Sequence, residues 1–149
     1  MSLLNQPVPA WKVRTLEGEI PPGPEAFRGQ PLLVLFWNLG CPNCKSRALP
    51  FSKELLRVHP HLQMVAIHTH PTGRVYSSAQ VNEIKQLLKI DYPVYLDEGM
   101  ATYLAWEAEG TPHWTLINAE GKVHRNIFGS MPNALQRLDY ALREWRVEE

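Results

Sequence analysis

Leu32-Leu33-Val34-Leu35-Phe36-Trp37-Asn38-Leu39-Gly40-Cys41-Pro42-Asn43-Cys44 decides the reading of this chain. Its first six residues form an uninterrupted apolar run of strand length, the pattern of a strand buried on both faces in a sheet covered by helices. Cys41 follows shortly after, and from Pro42 the sequence turns helical to about Val58. A cysteine placed there carries its sulfur at a helix N-terminus, where unpaired backbone N–H groups and the helix dipole favour negative charge. The thiolate is the nucleophilic form of the side chain. Pro42 suits the first helical position, since the N–H it lacks had no helical partner. Cys44 stands one turn on, close enough to attack a mixed disulfide at Cys41. The pattern predicts Cys41 as nucleophile and Cys44 as resolving thiol.

These two are the only cysteines in 149 residues. A pair this close closes too small a loop to stabilise a domain much, so chemistry explains it better than stability. Two other readings stay open, half of a zinc site or a silent pair. Zinc would want two further ligands at suitable spacing, and six histidines are present, among them His68-Thr69-His70. Hydrophobic residues at 44% and charged residues at 20% are the balance of a soluble globular protein. A formal net charge of zero gives no electrostatic reason to expect nucleic acid or an anionic membrane as a partner. Leu32 to Trp37 is the longest apolar run, far short of a membrane span. Met1 to Pro7 has neither a basic segment nor an apolar one. The expected location is therefore cytoplasmic, or extracytoplasmic if a leader was removed.

Outward from the motif, the chain reads as one domain over 1–149. Residues 1–31 are rich in Pro and Gly, and Val13, Thr15 and Leu16 suggest an early strand or hairpin in an N-terminal extension over about 8–31. Pro50 should kink or break the helix that follows the cysteines. Met64 to Ile67 is a second buried strand, and Ser77 or Ser78 can cap a helix with Val81, Ile84, Leu87 and Leu88 on one face. Tyr92 to Leu96 reads as an edge strand because of Pro93, followed by a short helix near Met100 to Trp106. Trp114 to Ile117 and Lys122 to Phe128 read as a hairpin. The last helix runs from Pro132 to about Arg146, with Ser130 as its cap and Leu135, Leu138, Leu142 and Trp145 as its buried stripe. The fold class is α/β, a mixed central sheet with helices on both faces.

The sequence resembles the TlpA-like and ResA-like thioredoxins of the broad redoxin family, which also includes peroxiredoxins. The residues that carry the resemblance are Pro7 to Trp11, Leu16-Glu17-Gly18, Phe27 to Pro31, Leu33 to Trp37, Cys41-Pro42-Asn43-Cys44, Leu49-Pro50, Tyr92-Pro93-Val94, Gly110-Thr111-Pro112 and Leu116 to Gly121. There is a closer likeness to the DipZ-like thioredoxin domains in the lead-in to the cysteines and in His68-Thr69-His70. The resemblance implies a thioredoxin fold and thiol–disulfide exchange with no cofactor and no bound metal. It implies a cis peptide before Pro112, facing the cysteines, with Thr111 pairing with a bound substrate segment and Gly40, Pro42 and Asn43 beside it. Implied partners are protein disulfide or dithiol substrates and a thiol electron donor, for a monomer.

Three positions depart from the family pattern. Gly40 stands where Trp is usual, which removes a flat aromatic surface and permits unusual backbone angles. Leu35 occupies the place of a buried acid, so no carboxylate there can take a proton from Cys44. Arg47 replaces a Glu, as a cation near the pair or a solvated helix residue. Among the histidines, His59 and His61 read as a solvated turn. His68 or His70 could approach the site edge, and His113 could tune the cysteines. Trp37, Trp106 and Trp114 read as core.

Two competing functions remain at this level. A thiol peroxidase would need a hydroxyl shortly before the reactive cysteine, and Trp37-Asn38-Leu39-Gly40 has none. A copper-delivery module would use Cys41, Cys44 and a histidine, since soft thiolates suit Cu(I).

Overall fold

The computed structural model describes residues 2–71 and 74–148, with side chains described through Glu144. Six strands form one sheet: β1 (Val13–Thr15), β2 (Leu32–Trp37), β3 (Gln63–His68), β4 (Val94–Asp97), β5 (His113–Ile117) and β6 (Val123–Phe128). Their order is β1-β4-β3-β2-β5-β6. β2 pairs parallel with β3, and β3 with β4, while β1–β4, β2–β5 and β5–β6 are antiparallel. The helices are α1 (Leu49–Val58), α2 (Ser78–Leu87), α3 (Ala101–Ala105) and α4 (Pro132–Glu148).

All six residues of β2 are buried, as an apolar run at the sheet centre requires. Alternate side chains feed two cores. Leu33, Leu35 and Trp37 meet Cys44, Leu49 and Leu55 from the cysteine helix, Val81 from α2, and Leu138 and Leu142 from α4. Leu32, Val34 and Phe36 meet Trp11, Tyr103 and Trp106 on the opposite face. Helices thus lie on both faces, three against one and the short α3 with the N-terminal segment against the other.

Several local expectations are corrected. β4 is interior, and the edge beside it is β1; Pro93 precedes the strand and removes no ladder bond, while its carbonyl accepts the Ala66 N–H at 3.0 Å. The early strand expected at Val13 and Thr15 is present as β1, paired with β4 across the sheet, and a tight turn follows it, Thr15 N–H to Glu19 C=O at 2.8 Å. Pro50 does not break its helix. A wide π turn over Cys44–Ala48 precedes it, and Leu49 N–H reaches back to Cys44 C=O, so the ladder widens ahead of the missing Pro50 donor. Leu87 is exposed, because six residues past Val81 lies about 120° round the helix. Ser130 is not the cap of α4; the first bonds of that helix go to Met131 C=O, and Ser130 Oγ has no hydrogen-bond partner among the described residues. The Trp145 side chain lies outside the described residues.

Candidate active site

The cysteine loop leaves the C-terminal end of β2, where an open sheet exposes its strand ends to a ligand. Asn38 begins it as an Asx turn. Asn38 Oδ1 accepts the Gly40 N–H at 2.9 Å, Asn38 C=O accepts the Cys41 N–H at 3.0 Å, and Asn38 Nδ2 donates to Thr69 C=O at 2.7 Å. His68 Nε2 accepts the Leu39 N–H at 3.0 Å. Helical turns then start at Pro42, and Ser46 Oγ donates to Pro42 C=O at 2.8 Å.

Both cysteines are free thiols here. Cys41 is partly exposed and Cys44 is fully buried. The Cys44 N–H donates to Cys41 Sγ at 3.2 Å, so an amide of the first turn points at the sulfur. Cys41 Sγ also lies 3.5 Å from Thr111 C=O. Burial first, and the neighbouring Cys41 sulfur second, push the Cys44 thiol well above the ordinary thiol range. Leu35 shares the apolar core with Cys44.

Across from the sulfur, the Thr111–Pro112 peptide is cis. Gly110 has φ +145°, and a Cβ there would stand 2.6 Å from Phe128 Cε1. A side chain at 110 is therefore excluded twice, by backbone angle and by the ring packed on it. Gly129 N–H donates to Pro112 C=O at 2.8 Å, tying this loop to the end of β6.

Gly40, Pro42 and Asn43 are exposed, and Thr111 is half-buried beside Cys41. Gly40 is needed for space and has no positive φ. A Cβ on it would lie 2.6 Å from Tyr76 Oη and 3.2 Å from Asn38 Oδ1. Tyr76, sent in from the segment before α2, thus covers the residue before Cys41. Arg74 packs over the Tyr76 ring, 5.1 Å from its centroid.

The remaining candidate residues fall elsewhere. Arg47 is exposed and donates to Met131 Sδ at 3.6 Å. His113 is buried on the Phe36 side of the sheet, the face opposite Cys44; its Nε2 lies 3.2 Å from Asn126 Oδ1 and its Nδ1 accepts the Glu109 N–H at 3.4 Å. His59 is buried and contacts Asp139 at 3.2 Å, so it joins the cysteine helix to α4 and is no solvated turn. Trp37, Trp106 and Trp114 are core residues. Among the described residues, no group of three or more His, Cys, Asp or Glu side chains could hold a metal ion, and no helix is long and apolar enough to cross a membrane. Sequence reasoning misses Asn38 and Tyr76. An Asn directly after a strand and two before a Gly is a usable sign of an Asx turn; nothing local marks Tyr76.

No family model matches the chain. Protein DipZ of Mycobacterium tuberculosis is 29% identical over 107 residues, 70% of this chain and 15% of DipZ, so the chain spans a small part of that relative. Sporulation thiol-disulfide oxidoreductase A of Bacillus subtilis is 26% identical over 142 residues, 95% of this chain and 81% of that protein. A solved structure of a thioredoxin-like protein in its oxidized form is 26% identical, with a TM-score of 0.79 over 97% of this chain and 99% of that one. The six-stranded mixed sheet with its helices is the thioredoxin fold.

Proposed function

We propose that in this chain, a thioredoxin-fold thiol–disulfide oxidoreductase similar to the ResA-like and DipZ-like proteins, Cys41 is the nucleophile and Cys44 the resolving thiol. One observation carries the assignment. The Cys41 sulfur is the reachable one, held between the Cys44 N–H and Thr111 C=O, while Cys44 is buried behind it.

The exchange runs in two displacements. The Cys41 thiolate attacks one sulfur of a substrate disulfide, that S–S bond breaks, and the departing sulfur takes a proton. Cys44 then loses its proton and attacks Cys41 Sγ, releasing the second substrate sulfur. The substrate gains two electrons and two protons, and the chain is left with a Cys41–Cys44 disulfide. An external dithiol returns it to the dithiol form. Burial keeps Cys44 protonated until the mixed disulfide forms, which prevents both sulfurs from competing for one substrate.

The substrates in this reading are protein disulfides. In this reading Thr111, whose carbonyl lies against the Cys41 sulfur, and Pro112 contact the substrate, with Gly40, Pro42 and Asn43, the exposed neighbours of Cys41 in the chain, as the other contacts. Reduction is the proposed direction in a cytoplasm that keeps thiols reduced; behind a removed leader the same pair would draw on a different donor. One domain and a monomer complete the proposal. Trapping tests it: Cys44→Ser should accumulate mixed disulfides with substrate protein, and Cys41→Ser should not. Equal trapping by both variants would overturn the roles.

A further inference from the structure

Three successive amides, those of Leu39, Gly40 and Cys41, hold the loop that carries the reactive sulfur. Asn38, itself part of the loop, satisfies two of them through Oδ1 and its carbonyl. Only the Leu39 N–H is bound from outside, by Nε2 of His68 at 3.0 Å. His68 ends β3, directly opposite Trp37 in the parallel register. Its ring is fully buried, with ring centroids of Trp37 at 4.9 Å, His70 at 5.0 Å and Tyr76 at 5.9 Å.

An imidazole that accepts through Nε2 carries its proton on Nδ1 and is neutral. Here His68 Nδ1 is buried without a hydrogen-bond partner among the described residues. A ring kept only for packing would leave no such group unsatisfied if it were apolar. The acceptor is therefore what a histidine adds at this place.

We propose that His68 is a positioning residue of the cysteine pair: its neutral ring accepts the one of these three amides that Asn38 leaves unbound, and the Leu39 bond sets where Cys41 Sγ stands relative to Thr111 and Cys44. This rests on the thiol–disulfide reading above. The surroundings keep the ring neutral. Burial, then the charge of His70, lowers its pKa to about 4. Tyr76, with the Arg74 cation over its ring, packs against His68, and Asp97 on the neighbouring β4 accepts from Thr69 Oγ1 and from the Thr102 and Tyr103 N–H groups. No carboxylate among these is turned toward His68 to stabilise an imidazolium.

The test compares His68→Phe, which keeps a ring and loses the acceptor, with His68→Gln, whose amide oxygen can still accept. Three quantities are read on the full chain: the iodoacetamide alkylation rate of Cys41, the dithiol–disulfide equilibrium constant against glutathione, and hydrogen exchange at the Leu39 amide. His68→Phe should shift the first two by roughly three- to tenfold, the worth of one hydrogen bond, and lose Leu39 protection, while His68→Gln stays within about twofold. A purely structural role would lower the melting temperature and leave all three readouts in place, which overturns the proposal. Equal shifts in both variants overturn it too. If His68→Phe does not fold, the wild-type chain decides: Leu39 protection should fall with His68 protonation followed by NMR, and protection unmoved by that titration overturns the proposal. Should the wild-type pair form no intramolecular disulfide, the thiol–disulfide reading fails, while alkylation and Leu39 exchange still report on positioning.

Discussion

Among single residues, the placement of Cys41 and Cys44 is legible in the sequence because it is set locally. A buried strand, the four-residue loop 38–41 and a helix start at Pro42 place a sulfur at a helix N-terminus whatever the rest of the chain does. The neighbours of the pair are not legible, because they come from distant segments. Gly40 suggests freedom of backbone angle, yet its backbone is ordinary and its missing side chain makes room for Tyr76, thirty-six positions on. Gly40→Ala should cost about 1 kcal/mol in urea unfolding, as overpacking does. In a Tyr76→Ala background the same change should cost nearly nothing, and an unchanged cost there would contradict the contact. The histidines divide in the same way. His59, His68 and His113 are all buried, and only the tertiary fold says that one binds Asp139, one holds Leu39 and one faces Asn126.

Among helices and strands, periodicity identifies the apolar core strands and the amphipathic helices, and proline misleads wherever it is read as a breaker. Pro50 sits inside a continuous helical stretch, and the π turn just before it widens the ladder ahead of the missing donor. Pro93 stands just outside β4, so it says nothing about whether that strand is an edge. Ser77, one of two possible caps in the sequence, forms a full capping box with Gln80. Ser77→Ala should lower stability by about 1 kcal/mol, read by chemical denaturation. Because Ser77 follows Tyr76, hydrogen exchange at Gly40 and Leu39 should rise in the same variant; unchanged exchange would show that the Tyr76 segment is held independently of α2.

For the molecule as a whole, the α/β class and the mixed sheet follow from the order of apolar segments, while strand order does not. Pairing of β1 with β4 joins segments some eighty residues apart, and nothing in Val13 to Thr15 names its partner. Burial of neutral histidines has a global consequence in pH. His68 is held at about 4 against an ordinary 6.5, and His113 is lowered as well, chiefly by burial. Below pH 6.5 the unfolded chain takes up protons that the folded chain refuses until about pH 4, so stability present at neutral pH is lost across that window. For His68 the loss is on the order of 3 kcal/mol at most. Melting temperature should therefore fall between about pH 7 and about pH 4.5, and less steeply in His68→Gln; identical slopes would mean that His68 is not the group responsible. The cysteine assignment is tested most directly by the redox potential of the Cys41–Cys44 pair, equilibrated against defined thiol buffers and read by mass spectrometry. The expected result is one intramolecular disulfide, with a potential toward the reducing, thioredoxin-like end near ~−270 mV. A chain that forms no Cys41–Cys44 disulfide under any of these buffers would contradict the assignment.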